Sequence, residues 1–496
     1  MAANHLFDGL LGGRESAPGT LLRVPGGESW SYADTVELSG RLANLLVELG
    51  VTPGDRVAVQ VQKSPQAIAL YLATVRAGAV FLPLNTAYTR NEVGYFLDDA
   101  EPALLVCDGA RAAEFDGIDA QLMTLDGDGG GSLASAATTH AAAFDNVERG
   151  PGELAAILYT SGTTGLSKGA MLSHDNLLSN SVTLVDYWRF TEDDVLLHAL
   201  PIFHTHGLFV ATNVTLICGG SMIFLARFDV DTVIDELPRA TAMMGVPTFY
   251  TRLLADDRFE RELVAHMRLF VSGSAPMLAE THAQFEQRTG QRILERYGMT
   301  ETNMNTSNPY DGERRAGSVG FALPGVEVKV TDPESGESLA DGETGMIEVR
   351  GPNVFLGYWR KPEKTAEELR ADGFFITGDM GVIAEDGYLH IVGREKDLII
   401  SGGYNIYPKQ IETEIDALDG VVESAVFGIA DADFGEAVAA AVVLEPGAAL
   451  DRDGLLQQLA PQLARFKLPR KIVFVDELPR NAMGKVQKNL LRDRYG

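Results

Sequence analysis

Leu154-Ala-Ala-Ile-Leu-Tyr-Thr-Ser-Gly-Thr-Thr-Gly-Leu-Ser-Lys-Gly-Ala-Met-Leu172 is two apolar runs separated by a loop of small polar residues. Residues 154–158 have the composition of a buried strand. In the loop, Gly162, Gly165 and Gly169 permit tight turns, Ser and Thr hydroxyls with free N–H groups suit phosphate oxygens, and Lys168 supplies compensating charge. This is the composition of a phosphate-binding loop. The glycine and lysine order is not that of a Walker A motif, and Gly169-Ala-Met-Leu172 reads as a second strand rather than an immediate helix, which disfavours a P-loop NTPase fold. The alternative is a polar hairpin loop.

Outward from this stretch, short Val/Ile/Leu-rich runs at residues 56–61, 79–83, 103–107, 195–200, 222–225, 240–246 and 269–271 alternate with helical patterns such as residues 65–76. That alternation predicts an α/β fold with parallel-rich sheets covered on both faces. From residue 341 the texture changes to strands with turn signals, 345–350, 378–383 and 388–392, with Asp386-Gly387 marking a hairpin, so a β-rich subdomain is expected. After Gly393-Arg394 a helix over 408–418 and strands over 421–427, 437–444 and 471–475 predict a small α+β domain. The expected division is a large domain over 1–394 and a small domain over 395–496. Residues 126–150, rich in Gly, Ala, Ser and Thr, read as a surface loop.

With 496 residues and 45% hydrophobic content the chain has ample material for several cores. Its 41 Lys and Arg against 69 Asp and Glu give a net charge of −28, which disfavours nucleic acid and anionic membranes as partners. Cys107 and Cys218 lie in apolar runs and read as core thiols in a reducing compartment. The N-terminal Met-Ala-Ala-Asn-His lacks the basic and apolar regions of a secretion signal, so a cytoplasmic location is expected. Residues 209–226, the most membrane-like stretch, carry Asn213 and Gly219-Gly220 and read as a buried helix, turn and strand.

Four more clusters carry chemistry. Glu295-Arg-Tyr-Gly-Met-Thr-Glu301 places Glu301 to ligate a divalent cation, or equally to start a helix. In Thr377-Gly-Asp379 a carboxylate at a turn suits two ribose hydroxyls. Gly393-Arg394 runs on to Ser401-Gly-Gly-Tyr-Asn405. Near the C-terminus is Leu478-Pro-Arg-Asn-Ala-Met-Gly-Lys-Val-Gln-Lys488, and residues 465–496 hold nine Lys or Arg against three Asp or Glu. Such a basic tail calls for an anionic partner, unless it is a solvated helix end.

These motifs, in this order, resemble the adenylate-forming acyl-CoA synthetase superfamily over nearly the whole chain, and most closely its malonate-activating branch. The resemblance implies ATP, Mg²⁺ and coenzyme A as cofactors and an AMP-forming acid–thiol ligation through an acyl-adenylate. By that resemblance Thr160, Ser161, Gly162, Thr163, Thr164, Gly165 and Lys168 hold the β- and γ-phosphates. Gly273, Ser274, Ala275, Glu295, Arg296 and Tyr297 line the adenine, and Thr300 reaches the α-phosphate. Glu301 with Thr163 holds the metal, Asp379 takes the ribose and Arg394 sits beside it. Lys485 is the adenylation lysine, acting with Thr163 and Glu301, while Lys488 is not. Ser401, Gly402 and Gly403 shape the pantetheine tunnel once the small domain has rotated about Lys396.

Substrate choice rests on the residue before Tyr297. An arginine offers a fork for a second carboxylate, and an unpaired guanidinium repels fatty chains. Arg296, with His204 and Ser274, therefore points to a dicarboxylic acid, malonate or methylmalonate; His206 is a further donor. The competing role for Arg296 is an ion pair with Glu295 or Glu301. The alternative activities are a short-chain, fatty or aryl monocarboxylate ligase, or a carrier-protein-loading adenylation enzyme. A lysine acyltransferase or deacylase acting on Lys485 is a further expected partner.

Overall fold

The computed structural model describes residues 4–160, 167–401, 404–431, 435–481 and 484–496. Among them the chain forms four sheets. One holds the parallel strands Leu154–Thr160, Val80–Pro83, Arg56–Gln60, Leu104–Cys107 and Gln121–Thr124, and is extended beyond Leu154–Thr160 by antiparallel pairing with Lys168–Ser173 and then Gly357–Tyr358. A second runs in parallel through Ser221–Phe224, Val195–His198, Ala242–Gly245, Leu269–Ser272 and Leu294–Met299.

Strand alternation explains how these two sheets stack. Val57 and Val59 share one apolar cluster with Leu196, Met222, Met244 and the buried helix Pro65–Arg76, whereas Ala58 packs on the opposite side with Val80, Val93 and Phe96. Leu197, Ile223, Met243 and Phe270 likewise face a third cluster. Helices therefore cover both faces of each sheet, with a shared helical layer between them, as continuous Val/Ile/Leu runs require. The helix Pro65–Arg76 starts where Ser64 Oγ accepts from Ala67 N at 3.2 Å and Pro65 occupies the first turn.

The antiparallel strands Glu327–Thr331, Gly345–Arg350, Phe375–Ile383 and Leu389–Arg394 form the expected β-rich subdomain, with Gly387 at φ 86° in the hairpin. Beyond it, strands Ile399–Ser401, Val421–Asp431, Gly435–Leu444 and Lys471–Phe474, with the helix Pro408–Asp416, enclose their own apolar clusters around Ile411, Val426 and Phe427. Residues 209–226 fold as helix, turn and strand, and no helix among the described residues is long and apolar enough to cross a membrane. Cys107 and Cys218 are buried free thiols.

The expected loop at residues 126–150 is more ordered than its composition suggests. It contains the helix Ser132–Ala137, whose Leu133 and Ala137 are buried. The following residues present backbone carbonyls inward: Asn44 Nδ2 donates to those of Ala141 and Ala143, and Arg76 donates to that of Phe144 and to Asn146 Oδ1. A Cβ on Gly40 would lie 1.8 Å from the Ala142 carbonyl, so only glycine admits this approach. The signal is a buried arginine a long way off in sequence, which local periodicity does not carry. Arg76 also bonds Ser39 Oγ and the Val36 carbonyl. Replacing it by methionine should destabilise the protein by about 2–4 kcal/mol in denaturant titrations, because several buried acceptors lose their donor; a loss under about 1 kcal/mol would show that the loop holds without it.

Candidate active site

Three of the segments singled out in the sequence stand at the carboxyl ends of the second sheet's parallel strands, the usual ligand crevice of open α/β sheets. Val195–His198 leads to His204 and His206, Leu269–Ser272 to Gly273, Ser274 and Ala275, and Leu294–Met299 carries Arg296 and Tyr297 in the strand itself. That strand turns back at Thr300-Glu301-Thr302 to pair with Asn303–Ser307, so Glu301 lies in a hairpin turn and not at a helix start.

Asp379 is central. It lies within the strand Phe375–Ile383, not at a turn, and Gly378 at φ 71° bends the chain beside it. Its carboxylate accepts from Tyr297 Oη at 2.6 Å and pairs with Arg394 Nε at 2.8 Å, across a register that sets Asp379 opposite Arg394. Asp379 raises the pKa of Arg394, and burial beside that carboxylate drives the Tyr297 phenol well up, so the arginine stays charged and the phenol protonated.

Arg296 is buried, 4% exposed, and no carboxylate lies within ion-pair distance of it among the described residues. The alternative of a structural pair with Glu295 or Glu301 is therefore not what the fold builds. Its Nε and Nη2 are buried without a hydrogen-bond partner, and burial lowers its pKa to about 9. The guanidinium lies against Gly273, where a Cβ would come within 2.4 Å of its central carbon. Around it stand neutral donors. Burial, with Lys485 and Arg296 nearby, lowers His204 to about 3, and burial likewise holds His206 well below its ordinary value. His206 N donates to His204 Nδ1 at 3.2 Å, Ser274 Oγ lies 3.2 Å from His206 Nδ1, and His206 Nε2 is buried without a partner. An orphaned guanidinium with unfilled neutral donors beside it is the surroundings of a missing anion.

Tyr358 and Glu368 join the site although no sequence motif marked them. Tyr358 Oη lies 3.0 Å from Glu301 and 2.6 Å from Glu368, and Lys168 Nζ lies 3.2 Å from Glu368 and 4.0 Å over the Tyr358 ring. Burial raises the pKa of Glu301. Glu295 is also buried, 4.0 Å from His282 Nε2, and is raised by burial to about 8. Thr160 ends the strand Leu154–Thr160, with its hydroxyl 3.4 Å from the Lys168 carbonyl, and Thr300 is half-buried in the hairpin turn.

Lys485, from the small domain, brings its ammonium within electrostatic reach of Asp379, Glu301, Arg394 and Arg296; the residue is exposed overall, yet burial of that end lowers its pKa. Lys488 instead pairs with Glu412 at 2.6 Å. Arg480 pairs with Glu423, Arg470 lies 2.8 Å from Asp431 and Arg492 2.8 Å from Asp397. Four of the tail's nine basic residues thus meet carboxylates within the protein, and Lys485 is not among them. Lys396 sits in the short turn Glu395–Asp397, lowered to about 8 by burial and by Arg394. Ser401 is buried in the small-domain sheet opposite Tyr404. Ser161, Gly162, Thr163, Thr164, Gly165, Gly402 and Gly403 lie outside the described residues.

Residues 15–359 match the AMP-binding enzyme family and residues 410–485 the AMP-binding enzyme C-terminal domain. The chain is 37% identical to the feruloyl-CoA synthase of an Amycolatopsis species, over 95% of each chain. It is 33% identical to the malonate–CoA ligase of Arabidopsis thaliana, over 94% of this chain and 84% of that one. Among solved structures it superposes on ATP-bound MatB from Rhodopseudomonas palustris with a TM-score of 0.97 at 61% identity, covering 100% and 99% of the chains; against the apo form of the same protein the TM-score is 0.87.

An orphaned charge held ready for a ligand should weigh on the empty fold. Arg296→Met should therefore melt no lower than the parent in the absence of ligands, with a gain of about 1 kcal/mol. A fall of several degrees in a thermal melt would make the arginine a structural residue.

Proposed function

The chain belongs to the AMP-binding enzyme family, and we propose that it is an ATP-dependent, AMP-forming ligase that joins malonate, with methylmalonate as a second acid, to coenzyme A. The observation that carries the choice of acid is the buried Arg296 guanidinium with two unpartnered nitrogens. A monocarboxylate brings one carboxylate, which must go to the reacting phosphate; a dicarboxylate brings a second that Arg296, His204 and Ser274 can receive. The likeness to a malonate–CoA ligase and to MatB supports this reading, and the likeness to a feruloyl-CoA synthase favours the rival, an aryl monocarboxylate ligase.

In the first half-reaction one carboxylate oxygen attacks the α-phosphorus, an acyl–phosphate bond forms, the bond to the β-phosphate breaks and pyrophosphate leaves. Two anions meet, so preorganised positive charge lowers the barrier. Lys485 stands between the acid and the α-phosphate, with Thr300 beside it. Lys168 and the hydroxyls of Thr160, Ser161, Thr163 and Thr164 hold the β- and γ-phosphates. Asp379 receives the ribose hydroxyls, kept in place by Tyr297 and Arg394, and Gly273 to Ala275 with Glu295 to Tyr297 border the adenine. The hard oxygens of Glu301 and Thr163 suit magnesium, which when bound neutralises phosphate charge; Tyr358 and Glu368 orient the Glu301 carboxylate. In the second half-reaction the thiol of coenzyme A takes the acyl group and AMP departs. The domains meet near Arg394, and rotation about Lys396 withdraws Lys485 and brings Ser401, Gly402 and Gly403 to the pantetheine. An acyltransferase acting on Lys485 would silence the first half-reaction by removing its charge, and it needs an arrangement of the domains that frees the buried ammonium end.

AMP release should be fastest with malonate, then methylmalonate, and at least about 100-fold slower in kcat/KM with acetate, octanoate and ferulate; comparable turnover of octanoate or ferulate overturns the dicarboxylate reading. Arg296→Leu should cost malonate at least about 100-fold in kcat/KM, about 2.7 kcal/mol. Lys485→Ala should lose adenylation far more than thioester formation from supplied malonyl-adenylate, and equal losses would remove it from the first step. Free coenzyme A should outperform a carrier protein's pantetheine arm as acceptor.

A further inference from the structure

Behind the wall that carries His204 and His206 lies a buried lysine which the proposed chemistry does not use. Lys63 is 7% exposed and no carboxylate pairs with it among the described residues. Its Nζ lies 2.8 Å from His198 Nδ1, 2.7 Å from the His198 carbonyl oxygen and 4.2 Å over the Phe224 ring. Burial holds its pKa well below the lysine range. An amine is costly to bury without a counter-charge, so a position that keeps one needs its donors.

The direction of each bond follows from the partners. His198 Nε2 lies 2.8 Å from the carbonyl oxygen of Gly207, and a carbonyl only accepts, so Nε2 carries the ring hydrogen. Nδ1 is then an acceptor, and Lys63 donates to it. The same amine donates to the His198 carbonyl, which holds the ring against its own backbone. Thr212 Oγ1 also donates to the Gly207 carbonyl, at 3.0 Å. Gly207 belongs to the wide helical turn His206–Thr212, of the π class, a form enriched at functional sites. Its N–H lies 3.1 Å from the His204 carbonyl, and a Cβ on it would lie 2.0 Å from that of Pro201.

We infer that Lys63 is a positioning residue for the acid pocket: through His198 it fixes the Gly207 carbonyl, and with it the place of the adjoining His206 between Ser274 and Arg296. The link spans the two sheets, since Lys63 follows the strand Arg56–Gln60 of one and His198 ends a strand of the other. Nothing in the chain Lys63–His198–Gly207 touches the nucleotide-binding groups around Asp379, so its influence falls on the acid. The inference rests on the proposed function only in taking the Arg296 pocket as the acid site.

Lys63→Met fills the same space without donors, and Lys63→Gln keeps one donor group. Steady-state kinetics should show the malonate KM rising about tenfold in Lys63→Met and by less in Lys63→Gln, with kcat and the KM for ATP within about twofold of the parent. A merely structural role would instead lower the active fraction, seen as reduced kcat at unchanged KM, and that result overturns the inference, as does an unchanged malonate KM. If Lys63→Met does not fold, Lys63→Gln is judged by the same split. A parent enzyme that ignores malonate defeats the substrate reading rather than this one, and the KM comparison is then made with the acid it accepts.

Discussion

A buried guanidinium with two nitrogens unpartnered among the described residues is the constraint around which this site is arranged. On the proposed function, the cost of burying Arg296 is offset when the second carboxylate of the acid binds. Its neighbours make sense in that light. Gly273 has no side chain because one would displace the guanidinium, and His204 and His206 are neutral because burial and nearby positive charge keep protons off them. A second fixed cation would raise the cost further, and a carboxylate would satisfy the arginine and close the pocket to ligands.

The sheets were legible because their strands are uninterrupted apolar runs bounded by turn residues, and the helix Pro65–Arg76 because serine and proline mark its first turn. The site was legible as a set of motifs, but its geometry was not. The placing of Asp379 inside a strand depends on Gly378 adopting a positive φ, and the pairing of Lys168 with Glu368 depends on a strand from another part of the chain reaching Tyr358. Neither Tyr358 nor Glu368 lies in a recognisable pattern; only their proximity to Glu301 in space reveals them. The order in residues 126–150 was hidden for the same reason, because carbonyls gain partners there from distant side chains. Lys63 gave no signal at all, since a lone lysine after a strand reads as surface.

Charge is distributed in two ways. The acidic excess sits mostly on solvated surface, while the positive groups divide between structural duty and the site. Arg470, Arg480, Lys488 and Arg492 answer carboxylates within the small domain, and the groups that gather near Asp379 and Arg296 are few. A count of basic residues along the tail overstates what is available to a ligand, because ion pairs formed between distant residues are invisible in a local sum.

The final helix, Lys488–Tyr495, is bolted down at both ends of its charged face: Lys488 holds Glu412, and Arg492 holds Asp397 in the turn that follows Arg394. This helix is a brace between the helix Pro408–Asp416 and the turn at Lys396. A spin label or fluorophore placed on this helix would therefore report, through Asp397, on the turn beside Lys396.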